Sequence, residues 1–152
     1  MTNKIYLAGD HAGFKLKEKI KKFLDGKKLR WVDFGPLEYH SNDDYPDFVM
    51  PLAKKISHEK NSRGIIIAGS GQGEAIAVNK IKGIRAALYH GGGAKIVEAS
   101  KIHNNANILS FGARFVTERE AKKAIEIFLE TKFAGGRHLR RIKKIDKYGQ
   151  RL

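Results

Sequence analysis

The chain has 152 residues, 41% of them hydrophobic, no cysteine, and a formal net charge of +14. That length suits a single domain over 1–152 that can bury a real core, while the missing cysteines exclude disulfides and thiolate metal sites. No apolar run approaches the roughly 18 residues of a membrane span, so no membrane partner is expected.

Short apolar runs alternate with stretches of helical period along the chain. Ile5–Ala8 reads as a first strand, with no signal-peptide pattern before it, which makes the cytoplasm the expected location. A helix follows near Gly13–Leu24, then a strand over Leu29–Phe34, a helix near Phe48–Lys60 and a strand over Gly64–Ala68. Beyond these come a helix near Glu74–Lys80, a strand over Ile84–Tyr89, a helix near Ala94–His103, a strand over Asn107–Phe111 and a helix near Glu118–Phe133. The basic segment Arg137–Lys147 closes the series as an extra helix, part of a C-terminal basic arm over 137–152. Such alternation predicts an α/β fold: a five-stranded parallel sheet in a Rossmann-like three-layer αβα sandwich with a C-terminal helix.

The charge comes from 21 Lys and 9 Arg. Lys15, Lys17, Lys19, Lys21 and Lys22 crowd one helical stretch and read as a solvated lysine surface. A field of that sign also draws in a small anionic substrate. A nucleic-acid-binding protein would use the same charge, but neither stacking platforms nor a recognition helix is evident.

In such sheets ligands bind beyond the carboxyl ends of the strands, at the topological switch point. With the expected strand order 2-1-3-4-5, that point falls between strands one and three. The loops there are Gly9-Asp10-His11-Ala12-Gly13 and Gly69-Ser70-Gly71-Gln72-Gly73-Glu74, the most polar and glycine-rich strand ends in the chain. Glycines let a backbone approach a ligand closely, and the first N–H groups of a helix attract negative charge. The pattern is neither a P-loop nor a full dinucleotide fingerprint, since no Lys-Ser/Thr pair follows and no acid sits clearly at the end of strand two. It offers instead an oxyanion hole beside the carboxylate of Glu74, the pairing an enolisation requires. A dipole-complementing surface Glu74 and a merely capping Asp10 are the plainer alternatives. The histidines lack the close spacing of a metal site, and no metal or cofactor is expected. His40 and His58 read as exposed, whereas His90 follows strand four and is close enough in sequence to reach the pocket.

Several motifs, in order and at matching spacing, resemble one family across essentially the whole chain. They are Gly9-Asp10-His11-Ala12-Gly13-Phe14, Asp44-Tyr45-Pro46-Asp47, Gly69-Ser70-Gly71-Gln72-Gly73, Asn79-Lys80, Gly83-Ile84-Arg85-Ala86, His103-Asn104-Asn105-Ala106-Asn107, Phe111-Gly112-Ala113-Arg114 and Phe133-Ala134-Gly135-Gly136-Arg137-His138. The set resembles the type B ribose-5-phosphate isomerases, a family that includes galactose- and allose-6-phosphate isomerases. The resemblance implies interconversion of ribose 5-phosphate and ribulose 5-phosphate through a cis-enediolate, in the pentose phosphate pathway and without metal. It also implies a homodimer or homotetramer with shared active sites. Carried across, Asp10 and His11 bind sugar or phosphate, and the N–H groups from Gly69 through Ser70, Gly71, Gln72 and Gly73 to Glu74 hold the enediolate oxygen. Ser70 lies near O1 and O2, His103 opens the furanose ring with help from Asp10, and Asn104 binds the sugar. Tyr45 lines the pocket, and Arg114, Arg137 and Arg141 bind phosphate.

Two departures stand out. Many relatives carry a cysteine base just before the glycine loop, where this chain has Ala68; Gly69-Ser70-Gly71-Gln72-Gly73-Glu74 resembles a second branch, in which the glutamate is the base. The stretch Tyr89-His90-Gly91-Gly92-Gly93 also looks longer than usual. His103 ends a helix ahead of strand five, so it is expected at the amino edge of the sheet. There it would serve a neighbouring subunit's pocket, together with Arg137 and Arg141. A hexose 6-phosphate isomerase and a non-catalytic sugar-phosphate binder remain the alternatives.

Overall fold

A computed structural model describes residues 4–148; the end of the basic arm, 149–152, lies outside the described residues. The elements are β1 (Ile5–Gly9), α1 (Phe14–Gly26), β2 (Trp31–Asp33), α2 (Pro46–Ser57), β3 (Arg63–Ala68), α3 (Gln72–Val78), β4 (Ala86–Tyr89), α4 (Ala94–Asn104), β5 (Ile108–Gly112), α5 (Glu118–Glu130) and α6 (Arg137–Lys147). All five strands are parallel, as the alternating pattern predicts.

Strand period does the layering. Side chains alternate across a sheet, so Ile5, Leu7, Ile65 and Ile67 face one way and join Leu16, Ile20, Leu109, Phe111, Ile125 and Phe128. Tyr6, Ala8 and Ile66 face the other way and join Val49, Leu52, Ile56, Val78 and Ile84. Helices α1, α4 and α5 cover the first face, and α2 and α3 the second. No described helix is long and apolar enough to cross a membrane.

The strand order is β2-β1-β3-β5-β4, which corrects the expected 2-1-3-4-5. The chain steps past one position on its way from β3 to β4, then returns to lay β5 between them. Burial explains the choice. Every residue of β5 is buried, whereas β4 is mostly half-buried, so the strand with the bulkier apolar side chains Ile108, Leu109 and Phe111 takes the interior place. The switch point between β1 and β3 is untouched by the exchange.

Two lysines also depart from expectation. Lys17 is fully buried rather than solvated; its Nζ donates to Asp33 Oδ1 at 2.7 Å, Oδ2 at 2.9 Å and the Pro36 carbonyl at 2.6 Å. Lys21 joins the same carboxylate at 2.7 Å. Asp33 therefore does end β2, contrary to the sequence reading, but two ammonium groups occupy it. Burial alone would raise its pKa, yet the hydrogen bonds from Lys17 and Lys21 hold it below the usual carboxylate value. The stability that this pairing supplies is full above the unfolded aspartate pKa and is lost as pH falls through the folded one.

Replacing Lys17 with Met keeps the volume but removes one cation from buried Asp33 and the donor from Pro36. Lys21 still pairs the carboxylate, so we expect a loss of roughly 2 kcal/mol, read as a lower urea midpoint at unchanged m-value. The deficit should shrink as the pH is lowered.

Candidate active site

The carboxyl ends of β1 and β3 are pressed together. A side chain at Gly13 would run into the Ile67 carbonyl and one at Gly9 would meet the same atom, so both positions require glycine. That contact seats the β1 loop beside the glycine loop. Asp10 is buried, and its Oδ1 accepts from Ala12 N at 2.9 Å and Gly13 N at 3.2 Å. Burial raises its pKa, and the two backbone N–H groups and His11 partly offset this.

His11 leans on a residue that sequence reasoning passed over. Asp43, in the connection from β2 to α2, accepts from the His11 backbone N–H at 2.9 Å and lies 2.7 Å from its Nδ1. The Asp43 hydrogen bond raises the imidazole pKa. With Nδ1–H directed to Asp43, Nε2 faces away as the ligand-facing nitrogen. Asp43 directly precedes the Asp44-Tyr45-Pro46-Asp47 motif, so its signal was a third carboxylate at a strand's carboxyl edge. The ligand atoms of Asp10, His11 and Asp43 lie within 4.8 Å of one another, the one such grouping among the described residues. It has a single histidine, and that ring already engages a carboxylate.

The glycine loop turns at Gly71, where φ is +76°, a conformation glycine adopts without cost. Ser110 pins the turn by donating from Oγ to the Gly71 carbonyl at 2.7 Å, and Ser70 Oγ accepts from Gln72 N at 3.3 Å. A Cβ on Gly73 would come within 2.5 Å of the Tyr45 hydroxyl, so Gly73 makes room for Tyr45. One on Gly69 would come 3.0 Å from a guanidinium nitrogen of Arg114, whose backbone N–H also bonds the Gly69 carbonyl at 3.1 Å. The loop thus lies between a phenol and a guanidinium.

Glu74 sits in the first turn of α3 with only 4% of its surface exposed. Its Oε2 is buried and has no hydrogen-bond partner. Burial raises its pKa, its own backbone N–H offsets part of this, and the charge of Asp10 adds to the rise. The exposed dipole-complementing reading is therefore corrected: this carboxylate is enclosed and unneutralised.

Asp10, His11, Tyr45, Gly69, Ser70, Gly71, Gln72, Gly73, Glu74 and Arg114 are brought together at one edge. His103, Asn104, Arg137 and Arg141 are not. Helix α4 runs back across the sheet, which leaves His103 and Asn104 exposed at the amino edge. His103 stacks on His138 of α6 at 4.7 Å between ring centroids, and Arg137 and Arg141 are exposed on the same helix. Arg85 Nε donates to the Asn104 and Asn105 carbonyls at 3.0 and 3.1 Å and so ties down the end of α4. His90 is exposed against Phe115 at 6.3 Å, alongside the loop that carries Arg114.

Fold and site define a doubly wound α/β protein with an enclosed carboxylate beside a glycine loop at its switch point. Comparison with known proteins agrees. Residues 5–145 match the Ribose/Galactose Isomerase family, and the chain belongs to it. A probable ribose-5-phosphate isomerase B of Mycoplasma genitalium is 44% identical over 151 residues, covering 97% of each chain. One of Mycoplasma pneumoniae is 42% identical over 148 residues, covering 97% of this chain and 96% of the relative. The crystal structure of ribose-5-phosphate isomerase B from M. genitalium with bound ribulose-5-phosphate matches with a TM-score of 0.91 at 42% identity over 97% of each chain. That of the Thermotoga maritima enzyme matches with a TM-score of 0.90 at 41% identity, covering 97% of this chain and 99% of the other.

Replacing Asp43 with Asn should lower the His11 pKa, because the hydrogen bond that raises it is lost. A downward shift of the His11 ring-proton titration by NMR, with the other histidines unmoved, is the expected outcome.

Proposed function

We propose that this protein interconverts ribose 5-phosphate and ribulose 5-phosphate through a cis-enediolate, with Glu74 as the base and no metal. The observation that carries the reading is the enclosed Glu74 carboxylate beside the glycine loop, with its Oε2 unpartnered. Ala68 ends β3 in a position where no acid–base chemistry is possible. Glu74 and Asp10 are the carboxylates within reach of the loop, and Asp10 is tied to two backbone N–H groups. The names of the relatives favour the pentose phosphate over a hexose 6-phosphate.

The geometry supports the following roles. Glu74 carries the proton between C2 and C1, and its raised pKa makes it a stronger base than an exposed carboxylate. Charge growing on the enediolate oxygen meets the loop N–H groups from Gly69 to Glu74, with Ser70 at O1 and O2. His11, whose cationic form Asp43 favours, and Arg114 place positive charge beside the loop, and Tyr45 closes one wall. Asp10 assists ring opening at O1.

The remaining groups stand at the wrong edge to serve their own chain's pocket. His103 as the ring-opening acid, Asn104 as a sugar ligand, and Arg137 and Arg141 as the phosphate clamp would act in a neighbouring subunit's pocket. The i, i+4 spacing of the two arginines puts them on one side of α6, suited to a bidentate phosphate clamp. We therefore propose a homodimer or homotetramer with shared sites, working in the cytoplasm.

Changing Glu74 to Gln should lower turnover of ribose 5-phosphate by at least about 10²-fold, with Tm equal or higher because a costly buried charge is gone. In the unaltered protein kcat/KM should fall as pH drops through the raised Glu74 pKa, since the base must be ionised. An active Glu74→Gln protein would overturn the assignment of the base.

Sharing of sites has its own test. Glu74→Gln and His103→Ala chains, each inactive alone, should recover up to about a quarter of full activity when unfolded together and refolded as mixed dimers. Half of such dimers are mixed, and each of those holds one intact site of two. No recovery would place His103 in its own chain's pocket or outside catalysis.

A further inference from the structure

A second cavity, of about 290 Å³, opens at the amino edge of the sheet, the end opposite Glu74. Lys60, Arg63, Arg85, Asn105 and Asn107 line it, with Glu59 as its one acid. The cations there are poorly matched. Arg63 donates one guanidinium nitrogen to the Ser62 carbonyl at 2.8 Å, while its Nε is buried with no partner. Arg85 reaches only main-chain carbonyls, those of Asn104, Asn105 and Gly83. Lys101, fully buried, has its Nζ on the Ala106 carbonyl at 2.9 Å. Among the described residues no carboxylate lies within ion-pair distance of Arg63, Arg85 or Lys101.

Glu59 does not balance them. Its carboxylate accepts the Tyr6 hydroxyl hydrogen bond and has Lys55 at 3.9 Å. The crowding is visible on Lys101: burial first, then the charges of Arg63 and Arg85, push its pKa down to about 7. Like charges gathered in a half-buried polar space are costly unless an anion joins them. Two guanidinium groups lining one cavity with a lysine and amide side chains suit a tetrahedral dianion in charge and in hydrogen-bond donors.

We propose that this amino-edge cavity is a phosphate-binding site, built by Arg63 and Arg85 with Lys60 and Asn105, and separate from the carboxyl-edge pocket. Its ligand is inorganic phosphate or the phosphate group of a small monoester. The volume leaves room for a few atoms beyond the phosphate itself, at the low end of small-ligand pockets.

Calorimetric titration decides the matter in a protein whose proposed catalytic phosphate clamp has been removed, Arg137→Gln with Arg141→Gln. That protein should still bind one phosphate group per chain, from inorganic phosphate, from phenyl phosphate, or from both, and the stronger of the two names the source. Adding Arg63→Gln should weaken binding by about tenfold or more, and Arg63→Lys should recover part of it. Arg63→Gln alone, in an otherwise unaltered protein, should keep isomerase turnover within about twofold. No binding in the clamp-less protein would overturn the proposal, as would binding indifferent to Arg63→Gln or Arg63→Lys with the fold intact by circular dichroism. Turnover lost with Arg63→Gln would merge the cavity with a catalytic pocket and also overturn it. If the unaltered protein shows no isomerase activity, the functional reading fails, while the titration still tests the cavity.

Discussion

Gly13 lies against the backbone of Ile67 with no room for even a methyl group, and the geometry of the carboxyl edge depends on that contact. It brings the start of α1 down onto β3, so the Asp10 carboxylate and the first turn of α3 share one small space. Parallel strands supply the rest. Because β1 and β3 are neighbours whose crossovers leave on opposite faces, their loops part at the strand ends and open a crevice between them. Glycine at Gly9 and Gly13 narrows the crevice, glycine at Gly69 and Gly73 lets Arg114 and Tyr45 approach its far wall, and glycine at Gly71 lets the turn lie against Leu88 and the Phe111 backbone.

The protein treats its buried carboxylates in two opposite ways. Asp33 is enclosed but met by Lys17 and Lys21, and its pKa is lowered. Glu74 is enclosed with no cation beside it and no partner for its Oε2, and its pKa is raised. The first arrangement ties α1 to β2 and the loop at Pro36. The second leaves a carboxylate that favours taking a proton, at a cost to stability. A structural glutamate would be expected to have a partner cation; the lack of one, beside the glycine loop, is what supports the proposal of Glu74 as the base.

The layer architecture was legible because β1 and β3 have all-apolar runs and the helices have amphipathic spacing; even the final helix, Arg137–Lys147, agrees with its sequence limits. The glycine loops were legible as well, since their residue types leave few other uses. Strand order was not. It turns on whether β4 or β5 is buried on both faces, a difference of a few residues that local pattern does not weigh. Lys17 was misread because a lysine at a helix position reads as solvent-facing, and its partner Asp33 lies across a turn. Asp43 was missed for the same kind of reason: its role depends on a 32-residue separation from His11 that closes only when β1 and β2 pair.

The two edges of the sheet carry different halves of the proposed chemistry. At the carboxyl edge stand the carboxylates Asp10 and Glu74, with Tyr45 and Arg114. At the amino edge stand His103, Asn104, Arg137 and Arg141, held by Arg85 across the end of α4 and by the stacked pair His103–His138. A parallel strand of five or six residues separates the edges by about 17–20 Å, too far for one sugar phosphate to touch both within a single chain. In the proposed dimer an antiparallel meeting of two chains would remove that separation, because each presents the edge the other lacks. A twofold arrangement would then complete two pockets at once. On the proposed roles, the fold that leaves one chain's set of groups incomplete would also make a pair of chains sufficient.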